Sequence, residues 1–496
     1  MAEQTYLAAD LGASGGRLLA GQFDGSKLRL EELHRFENGP VTAAGSLYWD
    51  VLGLWTQITQ GLRIARTRCS GSIRSIGVDA WGVDFALLGR GDVLLGNPHC
   101  YRDPRSEGML QRAIDRLGRE AIFAQTGLQF MPINTLYQLM AMRVQKSPLL
   151  DVAESFLMMP DFFHWLLTGE KSNEFTNSTT TQFFNPASGD WAFDLLKQLD
   201  LPTHLFHPVV PPGTQLGPLR GELAAETGLN DVQVVLPGTH DTASAVMAVP
   251  ASGAAQERPD WCYISSGTWC LMGIETPRPV INDECRRLNF TNEGGVGGTI
   301  RLLKNITGLW LVQECRRAWR QAGQDHSWEE LMRLSADAQP LAALVDPDDA
   351  SFLNPGDMPA AIREYCRRTN QAPPASEGAV IRCALESIAL KSRWVLDGLE
   401  GLSGGRLQTI HIVGGGTQNR ELCQAIADAC QRRVLAGPVE ATALGNVMMQ
   451  ALAAGAVGSI AEARDVVRGS FPVEQYEPQN SAAWQDAYGK FLLLVA

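Results

Sequence analysis

The chain has 496 residues, 45% hydrophobic and 19% charged, too long for one core, so two large domains are expected. Its net charge of -12 and pI near 5.3 argue against nucleic acid as a partner, which calls for a basic face. No apolar run approaches the roughly 20 residues needed to span a bilayer, and MAEQTYLAAD lacks the charged and apolar regions of a secretion signal, so a cytoplasmic protein without membrane contact is expected. Ten cysteines with no C-x-x-C pair lack zinc and dithiol spacing; most read as reduced, buried and apolar, with Cys366 and Cys383 expected to be neighbours.

In chain order, TYLAAD, LGASGG, RLLAGQF, DGSK and LRLEELHRF alternate apolar stretches with Gly-rich turns over residues 5 to 36. That spacing predicts three antiparallel strands joined as two hairpins. A helix is predicted from Trp49 to Arg66, then a strand, turn and strand in SIRSIGVDAWGVDFALL. The plan then returns: YISSGTW, CLMGIE and TIRLLKN as hairpin strands, helices beginning near Asn305 and at Glu377 to Leu399, and the strand RLQTIHIVGGG. The boundary is expected between residues 207–219, HPVVPPGTQLGPL, and the turn at 249–254, dividing the chain into 1–245 and 246–496. The implied fold is α/β, two lobes with a ligand cleft between them.

Three glycine clusters and one acid need a joint explanation. Asp10-Leu11-Gly12-Ala13-Ser14-Gly15-Gly16-Arg17 is a turn between strands, and no G-K-[ST] follows, so a P-loop is excluded. Its backbone N–H groups can still form a nest for phosphate oxygens. Ser265-Ser266-Gly267-Thr268 occupies the equivalent hairpin of the second half, so two turns would grip one polyphosphate. Gly414-Gly415-Gly416 ends a strand and leaves room for a flat ring. Finally, LPGTHDTASA (residues 236–245) sets Asp241 at the opening of a helix, followed by residues too small to crowd its carboxylate.

With DLGASGGR, IGVDAWGVDF, YRDPR, NTLYQL, LMMPDFFHWLLTG, TNSTTTQ, GTHDTASAV, YISSGTWCLMGIE, TNEGG, LLKNITGLWLVQ, FLNPGDM, IHIVGGGTQN and GPVEATALGN in view, the chain resembles the FGGY carbohydrate kinases nearly end to end. These belong to the superfamily of actin, hexokinase and the Hsp70 ATPase domain, so the resemblance implies the actin-like, ribonuclease H-like fold. Where the general pattern has lysine and tryptophan after its N-domain Tyr, this chain has Tyr137-Gln138-Leu139-Met140, a departure pointing to the branch acting on L-rhamnulose. The implied activity is transfer of the ATP γ-phosphate to the 1-hydroxyl of L-rhamnulose with Mg²⁺. Kinases for fuculose, xylulose or another ketose share every phosphate motif, and an actin-like or Hsp70-like switch remains the rival of another class.

The resemblance assigns Asp241 as the base that accepts the hydroxyl proton, kept ionised by the helix N-terminus; the alternative is an N-capping aspartate. It puts the triphosphate along Ala13, Ser14, Gly15, Gly16 and Arg17 and at Thr268, adenine at Gly415 and a further nucleotide contact at Gln313. Arg17 either neutralises phosphate or only pairs with a surface acid, and Gln313 either touches nucleotide or faces solvent. Asp10 suits Mg²⁺ held through water, or caps its turn. The sugar is assigned to Gly82, His240, Asp241, Thr242 and Asn305, with His240 alternatively a core histidine orienting its loop. Asp79 and Asp84 bracket Trp81 and either reach the sugar or serve as structural strand-end acids, and Trp81 either stacks on the sugar's apolar face or fills core.

Overall fold

The computed structural model describes residues 3–69, 71–252 and 256–495; residues 253–255 of the expected boundary turn lie outside the described residues. Two compact units form. The first takes Met1–Gln256, Glu275–Leu302 and Glu440–Phe471, the second Glu257–Ile274, Leu303–Val439 and Pro472–Ala496. The units are therefore stitched from several stretches and do not coincide with the segments 1–245 and 246–496. No helix among the described residues is long and apolar enough to cross a membrane.

The first unit is built on a six-stranded sheet in the order Gln215–Pro218, Gln233–Val235, Ile73–Ala80, Gln4–Gly12, Gly15–Phe23, Leu28–Glu37. The last three strands are the two predicted hairpins, antiparallel throughout, whereas Ile73–Ala80 runs parallel to Gln4–Gly12 and Gln233–Val235 parallel to Ile73–Ala80. Strand Gln4–Gly12 is buried from Thr5 to Leu11, as expected for a strand covered on both faces. One cover is the helix Val51–Arg68, capped by Asp50 Oδ1 accepting from the Gly53 N–H at 3.0 Å. It packs Leu54, Ile58 and Leu62 against Leu7, Leu11, Ile76 and Val78, and each such side chain contributes roughly 1.5–3 kcal/mol of burial. The other cover includes the helices Asp241–Met247 and Ala441–Ala453. The strand predicted after DAWGVD forms at Phe85–Gly89 but joins a separate three-stranded sheet.

The second unit repeats this plan. The seven-stranded sheet there follows the order Thr291–Gly294, Ile300–Thr307, Trp269–Thr276, Trp261–Ser266, Thr409–Val413, Arg433–Ala436, Glu474–Tyr476. Again a hairpin is followed by two parallel additions and an antiparallel final strand. The predicted helix at Glu377 runs to Ser403, capped by Ser376 and ended by Gly404 at φ +65°. The helix expected near Asn305 begins instead at Trp310, because the apolar run IRLLKNIT continues as a buried strand to Thr307. All ten cysteines are free and buried, and the Cys366 and Cys383 thiols lie within hydrogen-bonding reach.

Candidate active site

In the first unit, Asp10 lies near the C-terminal end of its strand in register with Asp79 on the parallel neighbour and Arg17 on the antiparallel one. Gly12 pairs with Gly15, so Ala13 and Ser14 alone make the turn, and Gly16 is held close to the Phe36 ring, which a Cβ would strike at 2.2 Å. Arg17 pairs with Asp10 at 2.7 Å and with Glu440. Asp10 is thus engaged by a guanidinium rather than capping its turn.

Asp241 is the first residue of the helix Asp241–Met247, and His240 is the N-cap. The capping alternative fails: Asp241 Oδ1 accepts from its immediate neighbour, the Thr242 N–H at 2.5 Å and Oγ1 at 3.1 Å. The carboxylate side chain retains 31% exposure. The expectation that the helix terminus keeps it ionised meets an opposing influence. Burial of its surroundings pushes the carboxyl above the ordinary carboxylate range, and the charge of Asp10 adds to the rise. A second correction concerns the small residues after it. Thr242, Ala243, Ser244 and Ala245 are all buried, and their size admits the helix Ala441–Ala453, where a Cβ on Gly445 would lie 1.7 Å from Ser244 O.

The loop before Asp241 is held by residues the sequence reading did not single out. Buried Glu174 accepts from the N–H and Oγ1 of Thr239 at 3.0 and 2.6 Å, and from those of Thr176 at 3.0 and 2.6 Å. Thr176 Oγ1 in turn accepts the His240 N–H at 3.1 Å, and Thr239 O accepts the Ala80 N–H at 2.9 Å. Gly82 sits over Thr180 of the same segment, whose side chain a Cβ would approach to 3.1 Å. Thus Gly82, His240, Asp241 and Thr242 all depend on the buried polar run EFTNSTT; its density of buried hydroxyls was the available signal.

Asp84 is an anchor. Its Oδ2 accepts from the indoles of Trp49 and Trp81 at 2.5 and 2.9 Å, and its Oδ1 from Gln138 Nε2 at 2.9 Å. Burial nevertheless lifts its pKa to about 6. Gln138 also accepts from Arg105 at 3.2 Å, which gives the departure at Tyr137-Gln138 a function: an amide that both donates and accepts joins an acid to a base. Asp79 is fully buried, accepts from Asn446 at 2.5 Å, and has no hydrogen-bond partner at Oδ1 among the described residues. Burial and then Asp10 push its carboxyl well up.

In the second unit, Thr268 Oγ1 donates to Gln313 Oε1 at 3.2 Å, so these two expected nucleotide contacts meet. The carbonyls of Gly267 and Thr268 take the Leu309 and Trp310 N–H groups at 3.1 Å, seating the start of the helix Trp310–Gln321 on the hairpin turn. Gly414 and Gly416 pack on Ser266, but nothing lies within 4 Å of a Cβ on Gly415, so that face is open to a flat group. Asn305 is half-buried on the strand Ile300–Thr307 and belongs to the second unit, whereas Gly82, His240 and Thr242 belong to the first.

A rhamnulokinase of Bacteroides thetaiotaomicron is 43% identical over 99% of both chains, and one of Oceanobacillus iheyensis 39% identical over 96% of this chain and 98% of its own. A solved gluconate kinase from Lactobacillus acidophilus shares the fold with a TM-score of 0.81 at 15% identity, covering 99% of this chain and 98% of that one. Residues 5–248 match the N-terminal domain of the FGGY family of carbohydrate kinases and residues 262–454 its C-terminal domain. The protein belongs to the FGGY family of carbohydrate kinases and is a phosphotransferase of the two-domain, actin-like α/β type.

Proposed function

We propose that the protein transfers the γ-phosphate of ATP to the 1-hydroxyl of L-rhamnulose, giving L-rhamnulose 1-phosphate and ADP, in the breakdown of L-rhamnose. The observation that carries this reading is Asp241: a part-exposed carboxylate with raised proton affinity, on a loop whose preceding residues are clamped by a buried acid, in a chain whose full-length relatives are named rhamnulokinase. A primary hydroxyl is a weak nucleophile, and phosphoryl transfer is accelerated mostly by positioning and charge stabilisation, with one group to take the proton. Asp241 takes it. A carboxyl with raised affinity is the better acceptor, provided it is still ionised at working pH.

Gly82, His240, Thr242 and Asn305 are the candidates for sugar oxygens: a backbone edge, an imidazole, a hydroxyl and an amide. The turn Ala13–Gly16 offers backbone N–H groups to the phosphates, and Arg17 is the cation beside them. Thr268, Gln313 and Gly415 receive the nucleotide. The donors near Asp10 fit a hard divalent cation: Asp10 and Asp79 offer only carboxylate oxygens, and one oxygen of Asp79 is unsatisfied. No described group of three His, Cys, Asp or Glu side chains is gathered to hold an ion directly, so Asp10 would hold Mg²⁺ through water. When bound, Mg²⁺ neutralises phosphate charge.

A coupled ADP-release assay over L-rhamnulose, L-fuculose, D-xylulose and their aldose isomers tests this proposal. The highest kcat/KM is expected with L-rhamnulose. A preference for another ketose, or ADP release independent of sugar, would overturn it.

A further inference from the structure

Arg301 is fully buried in the first unit, and its contacts all converge on the loop that carries Asp241 or on its own strand neighbours. Its Nε donates to Gly294 O at 2.8 Å. Its Nη2 lies 3.1 Å from His240 Nδ1 and 3.3 Å from Glu293 Oε2. On the far side of the ring, His240 Nε2 lies 3.5 Å from Asp241 Oδ1. A guanidinium has five N–H donors and no acceptor, so the contact at Nδ1 requires a bare nitrogen there. The imidazole proton must then sit on Nε2, facing the Asp241 carboxylate. Glu293 is also 3.4 Å from Nδ1 and would attract a proton to it; Arg301 occupies that place and supplies the countercharge.

We propose that Arg301 is a positioning residue that fixes the His240 ring with Nδ1 as the acceptor and the Nε2 proton directed at Asp241, so that the proton of the sugar hydroxyl has only Asp241 to go to. The proposal rests on Asp241 being the base. The charged groups around the imidazole are Arg301 and Glu293 at Nδ1 and Asp241 at Nε2. Asp10 acts on Asp241 in turn, Asp79 is influenced by both, Arg17 and Glu440 stand beyond Asp10, and Glu174 lies behind Thr239. Without Arg301, Glu293 would draw the ring proton to Nδ1, and the bare Nε2 lone pair would then face the Asp241 carboxylate and favour its protonated form.

The wild-type protein supplies the first test. In ¹⁵N NMR of histidine-labelled protein, with the His240 signal among its eight histidines identified by its loss in His240→Gln, the proton is expected on Nε2, with Nδ1 bare. A proton on Nδ1 overturns the proposal. The second test is the pH profile of kcat. Arg301→Met is expected to move the acid limb upward by about one unit or more with ketose KM unchanged, and Arg301→Lys, which keeps a donor and a charge, to restore it. A folded Arg301→Met with an unmoved limb, or a rise in ketose KM at constant kcat, overturns the assignment. Asp241→Asn separates the two readings: if it still turns over, the base is wrong; if it is inactive while the limb stays put, only the role of Arg301 is wrong.

Discussion

Replacing Gly445 by alanine sets local preference against packing, and the distances decide which prevails. Within the helix Ala441–Ala453 alanine is the better residue by about 1 kcal/mol. A Cβ at this position, however, lies 1.7 Å from the carbonyl oxygen of Ser244, 2.5 Å from its carbonyl carbon and 3.1 Å from its Cα. All three are backbone atoms, so no rotamer change relieves the clash, and the helices must part by roughly 1.5 Å at a close-packed contact. Overpacking costs about 1–3 kcal/mol and sometimes more, which exceeds the propensity gain. The larger effect falls on turnover. Ser244 is one helical turn from Asp241, and a displacement near 1 Å of a reacting group lowers rate by about 100-fold. Gly445→Ala is therefore expected to lower both Tm and kcat, read by thermal melting and the coupled ADP assay. A variant with wild-type kcat and Tm would show that the helix contact does not position Asp241.

Further outcomes follow from the same geometry. Asp241→Ala should lower kcat by at least about 100-fold, the lower range for a general base, while an ATP analogue still binds in calorimetry; normal turnover would remove the base. Glu174→Ala strands two backbone N–H groups and two hydroxyls, each stranded donor costing about 1–3 kcal/mol, and should be strongly destabilised in urea unfolding. Glu174→Gln should cost less, since an oxygen in the Oε2 position keeps three of the bonds; equal losses would refute this account of the clamp. Asp84, with its pKa raised to about 6, binds its proton more tightly folded than unfolded. Its contribution to stability is thus fully present below about pH 4 and is lost as pH rises through about 6, by roughly 3 kcal/mol. Asp84→Asn should remove that part of the pH dependence of Tm, and an unchanged slope between these limits would contradict it.

The hairpins were legible because Gly12 and Gly15 bracket a two-residue turn between apolar runs, and the equivalent Gly267 turn repeats the signal. The strand Gln233–Val235 was not, because three residues carry no readable period, and Gln215–Pro218 contains a glycine at φ +113° and a proline. Asn305 illustrates a conflict of periods: a strand and a helix meet at Gly308, and the buried strand claimed the shared residues. Asp241 stood out from its neighbours, but those small residues had been given the wrong partner, since they pack on a helix two hundred residues downstream. Glu174, Arg301 and Glu440 were invisible for a related reason. Each acts on Thr239, His240 or Arg17 across a long sequence separation, and nothing local marks an acid or arginine as a clamp rather than a solvated charge.

The first unit is completed by Glu275–Leu302 and Glu440–Phe471, and this bears on how the chain is born. A ribosome that has delivered the first half has not delivered Gly445 against Ser244, Asn446 against Asp79, or Glu440 against Arg17. The amino-terminal half must wait, partly unclad, until almost the entire polypeptide has emerged, and a gene fragment stopping at the boundary near residue 248 would yield an incomplete body prone to stick to others.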